Sequence, residues 1–522
     1  MQCARCQQDS PSGVKSFAAT AARDLGQHAL AAPASVSGHP RELVSGFTIG
    51  SLKRLIQTTT VGPKPSGGTF MTSFDQASIA ELSGRFSGVL LGADASGYDD
   101  VRRVHNGMID RRPALIARCL GSADIADAIN FARTYGLDLA VRGGGHNVAG
   151  RAVCDDGLML DLSLMKGIHV DPARRTARAQ GGVTWREFNR ETQAHGLATT
   201  GGVISTTGIA GLTLGGGLGW LMAKHGLAMD NLLSAEVVTA SGDIVRASND
   251  ENADLFWGLQ GGGGNFGAVS WLEYRLHLVG TVTSGLIAYS FDCARDVLKF
   301  FREITSVGMP DDLTIFGALL HAPDGAQIAV ILACHCGTLS DAEATLQPIK
   351  KFGTPIMDTI GPATYEATNM MLDAGFPRGA LNYWKSNFLM ELSDQAIDTL
   401  ISQFAACPSP MSGLLLEHIH GAATRVGVSE TAFPHRSEGY NFLVVSEWLN
   451  PADNARNITW ARESYDVMHP HFTSGRYVNY LGDDDGEDAV AAAYGPNHQR
   501  LRTLKAKYDP TNLFRMNQNI RP

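Results

Sequence analysis

The 522-residue sequence predicts an α+β protein built from two parts. In the first part, short apolar runs that suit buried strands alternate with a helical pattern and with three glycine-rich blocks. In the second part, from about residue 282, strand-like segments are separated by amphipathic helical segments, and glycine blocks are scarce. That second pattern is typical of a large antiparallel sheet backed by helices.

The first part opens with a strand, a helix and a second strand. Residues 113–119 form an apolar run, Ser122 can cap a helix, and its apolar positions recur at helical spacing until Gly136. The apolar run 137–141 then predicts a strand that leads into the first glycine block. Further strands are predicted at 157–162, 167–170, 176–179, 235–240, 244–247 and 268–278, with tight turns at 171–172 and 241–243.

The first glycine block is Arg142-Gly143-Gly144-Gly145-His146-Asn147. Residues without a Cβ atom can take a positive φ and bring backbone N–H groups close to a ligand. Successive N–H groups that turn inward form a concave anion site, which suits a diphosphate. His146 is a large side chain at the end of this loop, so we expect it to face the bound molecule.

Two more glycine blocks follow. Residues 201–219 mix glycine with small hydroxyl residues, which predicts neither a good helix nor a well-packed strand. We expect this segment to wrap a flat ligand at backbone distance. In the block 261–267, Gly262, Gly264 and Gly267 have G-x-G-x-x-G spacing, but they follow a helix-like segment and open a strand. This order is the reverse of the Rossmann order, so a nucleotide here is not bound in the Rossmann manner.

The second part has six predicted strands and three predicted helices. The strands are 286–290, 313–320, 327–336, 381–391, 413–420 and 440–447. The helices are 295–304, 340–352 and 394–405. The final stretch, from Arg476, contains Tyr477-Val478-Asn479-Tyr480, a predicted helix at 499–507, and the pair Asn517 and Asn519.

Composition and charge limit the function classes. A net charge of −9 and a pI of about 6.0 argue against a nucleic-acid partner. The 8 cysteines are scattered and suggest no disulfide framework, and no ligand spacing predicts a metal site. No run of ~18 apolar residues predicts a membrane span. The N-terminus lacks the pattern of a signal peptide. We therefore expect a cytoplasmic protein, monomeric or homodimeric, with a small-molecule substrate.

Five motifs occur together in one order along the chain. They are Arg142–Asn147, the block 201–219, Asp254-Leu255-Phe256-Trp257 with the block 261–267, Tyr477–Tyr480, and Tyr508-Asp-Pro-Thr-Asn followed by Asn517-Gln-Asn519-Ile. Together they resemble the berberine-bridge-enzyme-like branch of the vanillyl-alcohol-oxidase flavoproteins. The resemblance covers residues from about 80 to 522.

The resemblance implies a PCMH-type FAD-binding domain of two α+β subdomains, and a substrate domain whose large antiparallel sheet covers the flavin ring. The implied boundaries are 1–78 for a poorly ordered extension, 79–281 for the FAD domain (subdomains of about 79–139 and 140–281), 282–475 for the substrate domain, and 476–522 for a C-terminal segment that returns to the FAD domain. Met71 is a candidate alternative start of the chain.

By the same resemblance, the first glycine block binds the FAD diphosphate and His146 is attached covalently to the flavin, which raises the flavin redox potential. A histidine that only hydrogen-bonds a phosphate is the alternative. Many members carry a second attachment through a cysteine whose position here is Ile204, so we expect one link only. The residues implied to contact FAD are Arg142, Gly143, Gly144, Gly145, His146, Asn147, Gly150, Gly202, Val203, Ser205, Thr206, Thr207, Gly208, Gly211, Leu212, Gly215, Gly216, Gly217, Gly267, Val269, Asn517 and Asn519.

One position bears on the use of oxygen, and two others bear on the organic substrate. Oxygen-using members of the family carry valine where this chain has Thr207, and bulkier residues there are associated with dehydrogenases. Threonine is close to valine in shape, so the sequence favours an oxidase that reduces O2 to H2O2. If Thr207 only hydrogen-bonds the backbone, oxygen use stays open. Val148 and Leu218 occupy positions at which some plant members carry tyrosine, so plant-type phenolic alcohols are not supported.

The implied reaction removes a hydride from an alcohol or amine carbon of a sugar, an alkaloid or a secondary metabolite, while a base takes the O–H or N–H proton. Tyr480 is the predicted base, Tyr477 belongs to the same motif, and Lys385 is the predicted cation that lowers the pKa of the tyrosine. An exposed edge-strand lysine is the alternative for Lys385. We expect His418 and His420 to line a pocket or the surface, and His435-Arg436 to lie in a solvated turn.

Two other functions remain open at this point. One is a dehydrogenase that passes electrons to a quinone or to a protein acceptor. The other is a flavin-binding protein without turnover.

Overall fold

The computed structural model describes residues 74–522. Of the predicted N-terminal extension, 1–78, residues 1–73 lie outside the described part of the chain. Helix α1 (Gln76–Arg85) then begins three residues before the predicted boundary at residue 79. It begins there because the Asp75 carboxylate accepts a hydrogen bond of 2.9 Å from the Ser78 backbone and caps the first turn.

The first sheet has four strands in the order β1-β2-β4-β3, and β4 runs parallel to both β2 and β3. Its elements are β1 (Val89–Gly92), α2 (Tyr98–Arg102), β2 (Leu115–Arg118), α3 (Ser122–Tyr135), β3 (Leu139–Arg142) and β4 (Leu158–Asp161). Helix α3 packs its apolar face on the sheet and ends at Gly136, as predicted. Ser122 does not cap it. The cap position is Gly121, and the Ser122 hydroxyl donates to Glu236 at 2.6 Å.

The second sheet has five antiparallel strands in the order β5-β6-β10-β8-β9. The strands are β5 (Ile168–Asp171), β6 (Thr176–Gln180), β8 (Leu232–Val238), β9 (Ile244–Ser248) and β10 (Ala268–Arg275). Both predicted hairpins, β5–β6 and β8–β9, are confirmed. A separate pair, β7 (Leu197–Ala198) and β11 (His277–Leu278), and the helices α4 (Trp185–Gln193), α6 (Met222–His225) and α7 (Ala253–Leu259) complete this region.

One prediction for the second glycine block is wrong. Residues 201–219 contain a short helix, α5 (Ile209–Leu214), although the glycine content argued against any helix. Ile209, Ala210 and Leu214 are buried in the core of this region. Burial of an apolar helix face therefore outweighs the conformational cost of Gly211 at its centre.

The third sheet has eight antiparallel strands. The order is β15-β12-β14-β13-β18-β19-β17, and β16 pairs with β12. The strands are β12 (Val282–Ser290), β13 (Leu313–His321), β14 (Gln327–His335), β15 (Met357–Asp358), β16 (Gly361–Ala363), β17 (Leu381–Leu389), β18 (Gly413–Ile419) and β19 (Gly439–Trp448). The six predicted strands are confirmed, and the two short strands β15 and β16 were not predicted.

The two faces of the third sheet have different partners. Leu414, Leu416 and Phe442 belong to a core shared with the helices α8 (Ala294–Ser306), α9 (Leu339–Lys351), α11 (Asp394–Ala405) and α12 (Asn454–Met468). The alternate residues Leu415 and Leu443 belong to a second core that includes residues of the glycine blocks. Because strand residues alternate between faces, the side chains of this second set are turned toward the glycine blocks. Helix α12 and the short helix α10 (Tyr365–Asn369) were not predicted.

The C-terminal segment returns to the third glycine block. It contains α13 (Glu487–Tyr494), which was not predicted, and α14 (His498–Tyr508), which was. The buried ammonium of Lys505 on α14 donates to the carbonyl of Asn265 at 2.8 Å, to the carbonyl of Phe514 at 2.9 Å and to Asp509 at 2.7 Å. This one side chain ties the last residues of the chain to the 261–267 block. Between residues 74 and 522, no helix is both long and apolar enough to cross a lipid bilayer.

Candidate active site

The three glycine blocks, the C-terminal segment and one face of the third sheet enclose a common cavity. The lining residues from the glycine blocks include Gly143, Gly144, Gly145, His146, Asn147, Gly202, Val203, Ile204, Thr207, Gly208, Gly211, Leu212, Gly263, Gly264, Asn265 and Gly267. Those from the sheet and the C-terminal segment include Trp384, Leu415, Glu417, Leu443, Tyr477, Tyr480, Tyr494, Asn517 and Gln518. The structure thus brings most of the predicted cofactor contacts together.

The first two glycine blocks touch backbone to backbone. A Cβ atom at Gly144 would lie 2.4 Å from the backbone nitrogen of Gly208, so no side chain fits between them. Gly145 has φ +69°, a conformation that favours glycine. These two positions leave the backbone of the loop exposed to the cavity as a cradle for a ligand.

Arg142 does not face this cavity. Its guanidinium is bound to the buried carboxylate of Asp161, with Nε–Oδ1 at 2.9 Å and Nη2–Oδ2 at 2.8 Å, and it also donates to backbone carbonyls of Val101 and Arg103. The prediction that Arg142 contacts the cofactor is therefore corrected. Its side chain anchors β3 to β4 and sets where the glycine loop begins.

His146 lies half-buried in the cavity wall. Its ring stacks on that of His105, with centroids 3.8 Å apart and planes inclined by 18°, and its Nε2 lies 3.2 Å from the Thr206 hydroxyl. Burial, and then the neighbouring His105, lower the pKa of His146 to about 3. The imidazole is therefore neutral near pH 7 and has a lone pair available for a bond or a hydrogen bond.

Two residues of the second glycine block that were predicted to contact FAD, Ser205 and Gly217, hydrogen-bond other parts of the protein instead. The Ser205 backbone and hydroxyl donate to Asp373, at 2.8 and 2.5 Å, and Arg186 donates to the same carboxylate at 2.8 Å. The Tyr477 hydroxyl accepts from the backbone of Gly217 at 3.0 Å. The predicted contacts absent from the described cavity lining are Arg142, Gly150, Ser205, Thr206, Gly215, Gly216, Gly217 and Asn519.

The C-terminal segment contributes polar groups to the cavity beside the third glycine block. Asn517 lines the cavity, and its Nδ2 donates to the carbonyls of Gly264 at 3.2 Å and Phe514 at 2.9 Å. Its buried Oδ1 has no partner among the described residues, and the same is true of Asn519 Oδ1. Gln518 and Tyr494, which the sequence did not single out, also line the cavity.

A buried carboxyl faces the cavity from the third sheet. Glu417 on β18 accepts hydrogen bonds from the Tyr480 hydroxyl at 3.2 Å and from Asn441 Nδ2 at 2.6 Å. Burial raises the pKa of Glu417 to about 7, although the bonds from Asn441 and Tyr480 partly oppose this shift. A group that titrates there can both take and give a proton near neutral pH.

Tyr480 lines the cavity as predicted, but its environment does not suit a base. Burial, and then the Glu417 carboxyl, raise the pKa of Tyr480 above its usual value, so the phenol stays protonated. The residue suited to accept a proton is Glu417, which lies next to His418 on the predicted strand 413–420 and was given no role from the sequence. Strand alternation was the missed signal, because Glu417 shares a face with Leu415 and Ile419 while His418 points to the other side.

Lys385 is not brought to Tyr480. Its ammonium binds Asp484 at 2.9 Å and Asp485 at 3.0 Å, and it lies 5.5 Å from the ring of Tyr383. Burial alone lowers the pKa of Lys385, but the two aspartates raise it overall. The neighbouring Trp384 points into the cavity, so alternation along β17 turns Lys385 away. The prediction that Lys385 lies beside Tyr480 and lowers its pKa is therefore wrong.

Other candidates from the sequence have structural partners. Arg436 forms a bidentate ion pair with Asp230, at 2.7 and 2.8 Å, and both side chains are largely buried, so the predicted solvated turn is wrong here. His435 Nε2 lies 2.9 Å from the carbonyl of Ala493. The rings of His418 and His420 stack at 4.8 Å. Within residues 74–522, no group of three or more His, Cys, Asp or Glu is placed to hold a metal ion.

The cavity suits a flavin dinucleotide by its own chemistry. The glycine cradle offers backbone to a diphosphate, and the unpartnered Oδ1 of Asn517 can accept a hydrogen bond from a polar ring edge. Leu212, Val269 and other aliphatic residues of the lining provide an apolar wall. The residues present therefore fit FAD.

Comparison with known proteins agrees with this chemistry. A family model described as an FAD binding domain matches residues 113–248, and one described as berberine and berberine like matches residues 476–521. The chain is 31% identical over 463 residues to the (R)-6-hydroxynicotine oxidase of Paenarthrobacter nicotinovorans, covering 83% of this chain and 97% of that protein. It is 29% identical over 449 residues to an FAD-linked oxidoreductase of Dictyostelium discoideum, covering 85% and 97%.

Solved structures show the same fold. The crystal structure of 6-hydroxy-D-nicotine oxidase from Arthrobacter nicotinovorans matches with a TM-score of 0.76 at 31% identity, covering 84% of this chain and 98% of that one. A chitooligosaccharide oxidase matches with a TM-score of 0.75 at 24% identity, covering 86% and 100%, which supports the fold alone. The predicted α+β class with a PCMH-type FAD-binding fold is confirmed. The chain belongs to the berberine-bridge-enzyme-like family of FAD-linked oxidoreductases.

Proposed function

We propose that the protein is an FAD-dependent oxidase, with FAD attached through His146 alone, that oxidises a C–H group next to an alcohol or amine and reduces O2 to H2O2. The observation that carries this proposal is the buried Glu417 carboxyl beside Tyr480, in a cavity that His146 and the glycine blocks also line. It provides a proton acceptor in the space where a flavin and a substrate would meet.

The reaction needs two separate transfers from the substrate. Bound FAD supplies the two-electron acceptor, so that CH–XH and O2 become C=X and H2O2, where X is oxygen or nitrogen. The ionised carboxylate of Glu417 takes the proton from the X–H group. The Tyr480 hydroxyl donates to the Glu417 carboxylate at 3.2 Å and so orients it, and the phenol oxygen can accept a hydrogen bond from X–H.

The single covalent attachment rests on two side chains. The lowered pKa of His146 keeps its imidazole neutral, as a nucleophile must be, and the stack on His105 limits the orientations of its ring. Ile204 lines the cavity in the second glycine block and has no atom that can form a thioether.

Use of oxygen is supported by Thr207. Its side chain is close to that of valine in size, and the residue lines the cavity beside Gly208. It therefore leaves room for a diatomic molecule where a larger side chain would not.

The test is stoichiometry in the purified flavoprotein. Oxygen consumption, peroxide formation and product formation are measured together for each substrate that reduces the flavin anaerobically. We expect equal amounts of all three. Oxidation that proceeds only with an added quinone, with no peroxide formed, would show a dehydrogenase instead.

A further inference from the structure

The buried phenol of Tyr477 accepts three hydrogen bonds. Its oxygen accepts from the backbone N–H groups of Gly217 at 3.0 Å and Leu218 at 3.3 Å, and from Asn479 Nδ2 at 3.0 Å. The side chain is 1% exposed, and the residue lines the cavity. A phenol oxygen has two lone pairs, so three donors occupy its whole accepting side. Within residues 74–522, the structure gives no acceptor for the phenol proton itself.

The two backbone donors come from the end of the second glycine block. Gly216 and Gly217 have φ +126° and +91°, in the region that favours glycine. A Cβ atom at Gly216 would lie 3.3 Å from the Tyr477 ring, so the ring packs directly on this backbone. Two successive N–H groups that converge on one oxygen form the kind of nest that binds anions. This part of the block therefore surrounds the oxygen of Tyr477.

The nest strengthens the phenol as a hydrogen-bond donor. Burial raises the pKa of Tyr477 to about 12, and the bonds from Asn479, Leu218 and Gly217 partly oppose this shift. The phenol is therefore protonated at neutral pH. Hydrogen bonds in a chain polarise one another, so an O–H whose oxygen accepts three bonds is a better donor than that of an isolated tyrosine.

Tyr477 lies where two parts of the glycine cradle meet. Asn479, its side-chain donor, also donates to the carbonyl of Leu212 in the second block at 3.0 Å, and its own carbonyl accepts from Asn147 in the first block at 3.3 Å. All three residues line the cavity. Because buried donors are almost always paired, we expect a molecule bound in this cradle to accept the phenol proton.

We propose that the Tyr477 hydroxyl donates a hydrogen bond to the flavin, at an atom that becomes more negative when the flavin is reduced, and so favours reduction. This inference rests on the proposed function, because it assigns a further contact to the flavin of the same site. Tyr480 is not available for this contact, since its hydroxyl donates to Glu417 at 3.2 Å. The two tyrosines, whose ring centroids lie 4.8 Å apart, therefore have separate roles: Tyr480 orients the base, and Tyr477 stabilises the reduced cofactor.

The first experiment measures the flavin midpoint potential by equilibration with a redox dye, in the wild-type holoprotein and in Tyr477→Phe. A hydrogen bond to a charged acceptor is about twice as strong as one to a neutral acceptor. We therefore expect the equilibrium for reduction to be about tenfold less favourable in Tyr477→Phe, which corresponds to a midpoint ~30 mV lower for a two-electron couple.

Tyr274→Phe is the matched control. Tyr274 is a fully buried phenol outside the described cavity lining, and its hydroxyl lies 2.9 Å from that of Thr213. The control variant also loses a buried hydroxyl, but its midpoint potential should equal that of the wild type.

A second replacement keeps the hydroxyl and so does not depend on how well Tyr477→Phe folds. 3-Fluorotyrosine in place of Tyr477 has a more acidic phenol, which is a stronger hydrogen-bond donor. The midpoint potential should therefore rise above that of the wild type, opposite in sign to the effect of Tyr477→Phe.

The outcomes separate this inference from the proposed function. Opposite shifts in the two variants, with peroxide formed by the wild type, agree with both. Unchanged potentials in both variants would mean that water alone accepts the phenol proton, which would overturn the inference and leave the oxidase standing. Opposite shifts without peroxide would support the flavin contact and overturn the oxidase. A folded wild-type protein that binds no flavin would contradict both.

Discussion

Replacing Glu417 by glutamine tests the chemistry of the site most selectively. The amide is nearly isosteric and can keep contact with Asn441 and Tyr480, but it cannot take a proton. Loss of a positioned general base typically costs about 10²–10⁴-fold in rate, and we expect kcat/KM to fall within that range. In the wild-type enzyme kcat/KM should rise with pH through about 7 as Glu417 ionises, and this rise should be absent from Glu417→Gln.

The same substitution has a predictable effect on stability. Burial raises the folded-state pKa of Glu417 from 4.5 to about 7, so the folded protein holds this proton more tightly than the unfolded chain. The stabilising contribution is complete below the unfolded pKa and is lost as pH rises through about 7. The difference between the two pKa values corresponds to ~3 kcal/mol. The free energy of unfolding of Glu417→Gln, relative to wild type, should therefore increase by about that amount between pH 4.5 and pH 8.

Glu447→Gln is the matched control for both effects. Glu447 is buried in β19, neither of its carboxylate oxygens has a partner among the described residues, and burial raises its pKa to about 8. This variant should show a similar pH-dependent gain in stability with no change in the pH profile of kcat/KM. Urea unfolding between pH 4.5 and 8, and steady-state kinetics over the same range, measure the two effects. A Glu417→Gln enzyme with a normal rate and an unchanged pH profile would refute the assignment of Glu417 as the base.

Two further substitutions probe residues that act at a distance from the chemistry. Lys385→Met should lower stability by ~1–3 kcal/mol, because it leaves Asp485 without its ion pair. It should change kcat/KM by less than about threefold. A hundredfold loss of kcat/KM in the folded variant would return Lys385 to the catalytic site. Lys505→Met removes three hydrogen bonds and leaves Asp509 buried without its ion pair, at a cost of ~3–5 kcal/mol. The variant should have a lower melting temperature and incorporate less FAD per folded chain, because Asn517 and Gln518 are no longer held at the cavity; an unchanged FAD content per folded chain would contradict this role.

The sequence predicted the features that depend on local pattern. The glycine loop before His146, the hairpins of the second sheet and the six long strands of the third sheet all follow from spacing and periodicity within short stretches. Helix α5 was missed because its stability comes from burial of Ile209 and Leu214, which composition does not reveal. The short strands β15 and β16 were missed because a two- or three-residue strand has too few residues to show alternation.

The site was predictable only where it consists of backbone. Glu417 and Tyr480 are 63 residues apart, and no short motif connects them. Arg436 and Asp230 are 206 residues apart, which is why a buried ion pair was predicted to be a solvated turn. Lys385 was predicted to lie beside Tyr480 from its residue type alone. Its ammonium instead pairs with the adjacent aspartates Asp484 and Asp485, whose position the sequence does not reveal. Side-chain partners of this kind are set by the tertiary fold.

The assignment of the cavity to FAD depends most on His146, which we propose holds the flavin. The most direct measurement is to precipitate the purified yellow protein with acid and compare the flavin absorbance of pellet and supernatant, for wild type and for His146→Ala. We expect a yellow wild-type pellet, and a colourless His146→Ala pellet with any flavin released into the supernatant. A wild-type protein that releases all its flavin would contradict the covalent link. A folded protein that takes up no flavin when supplied with FAD would contradict the assignment of the cavity itself.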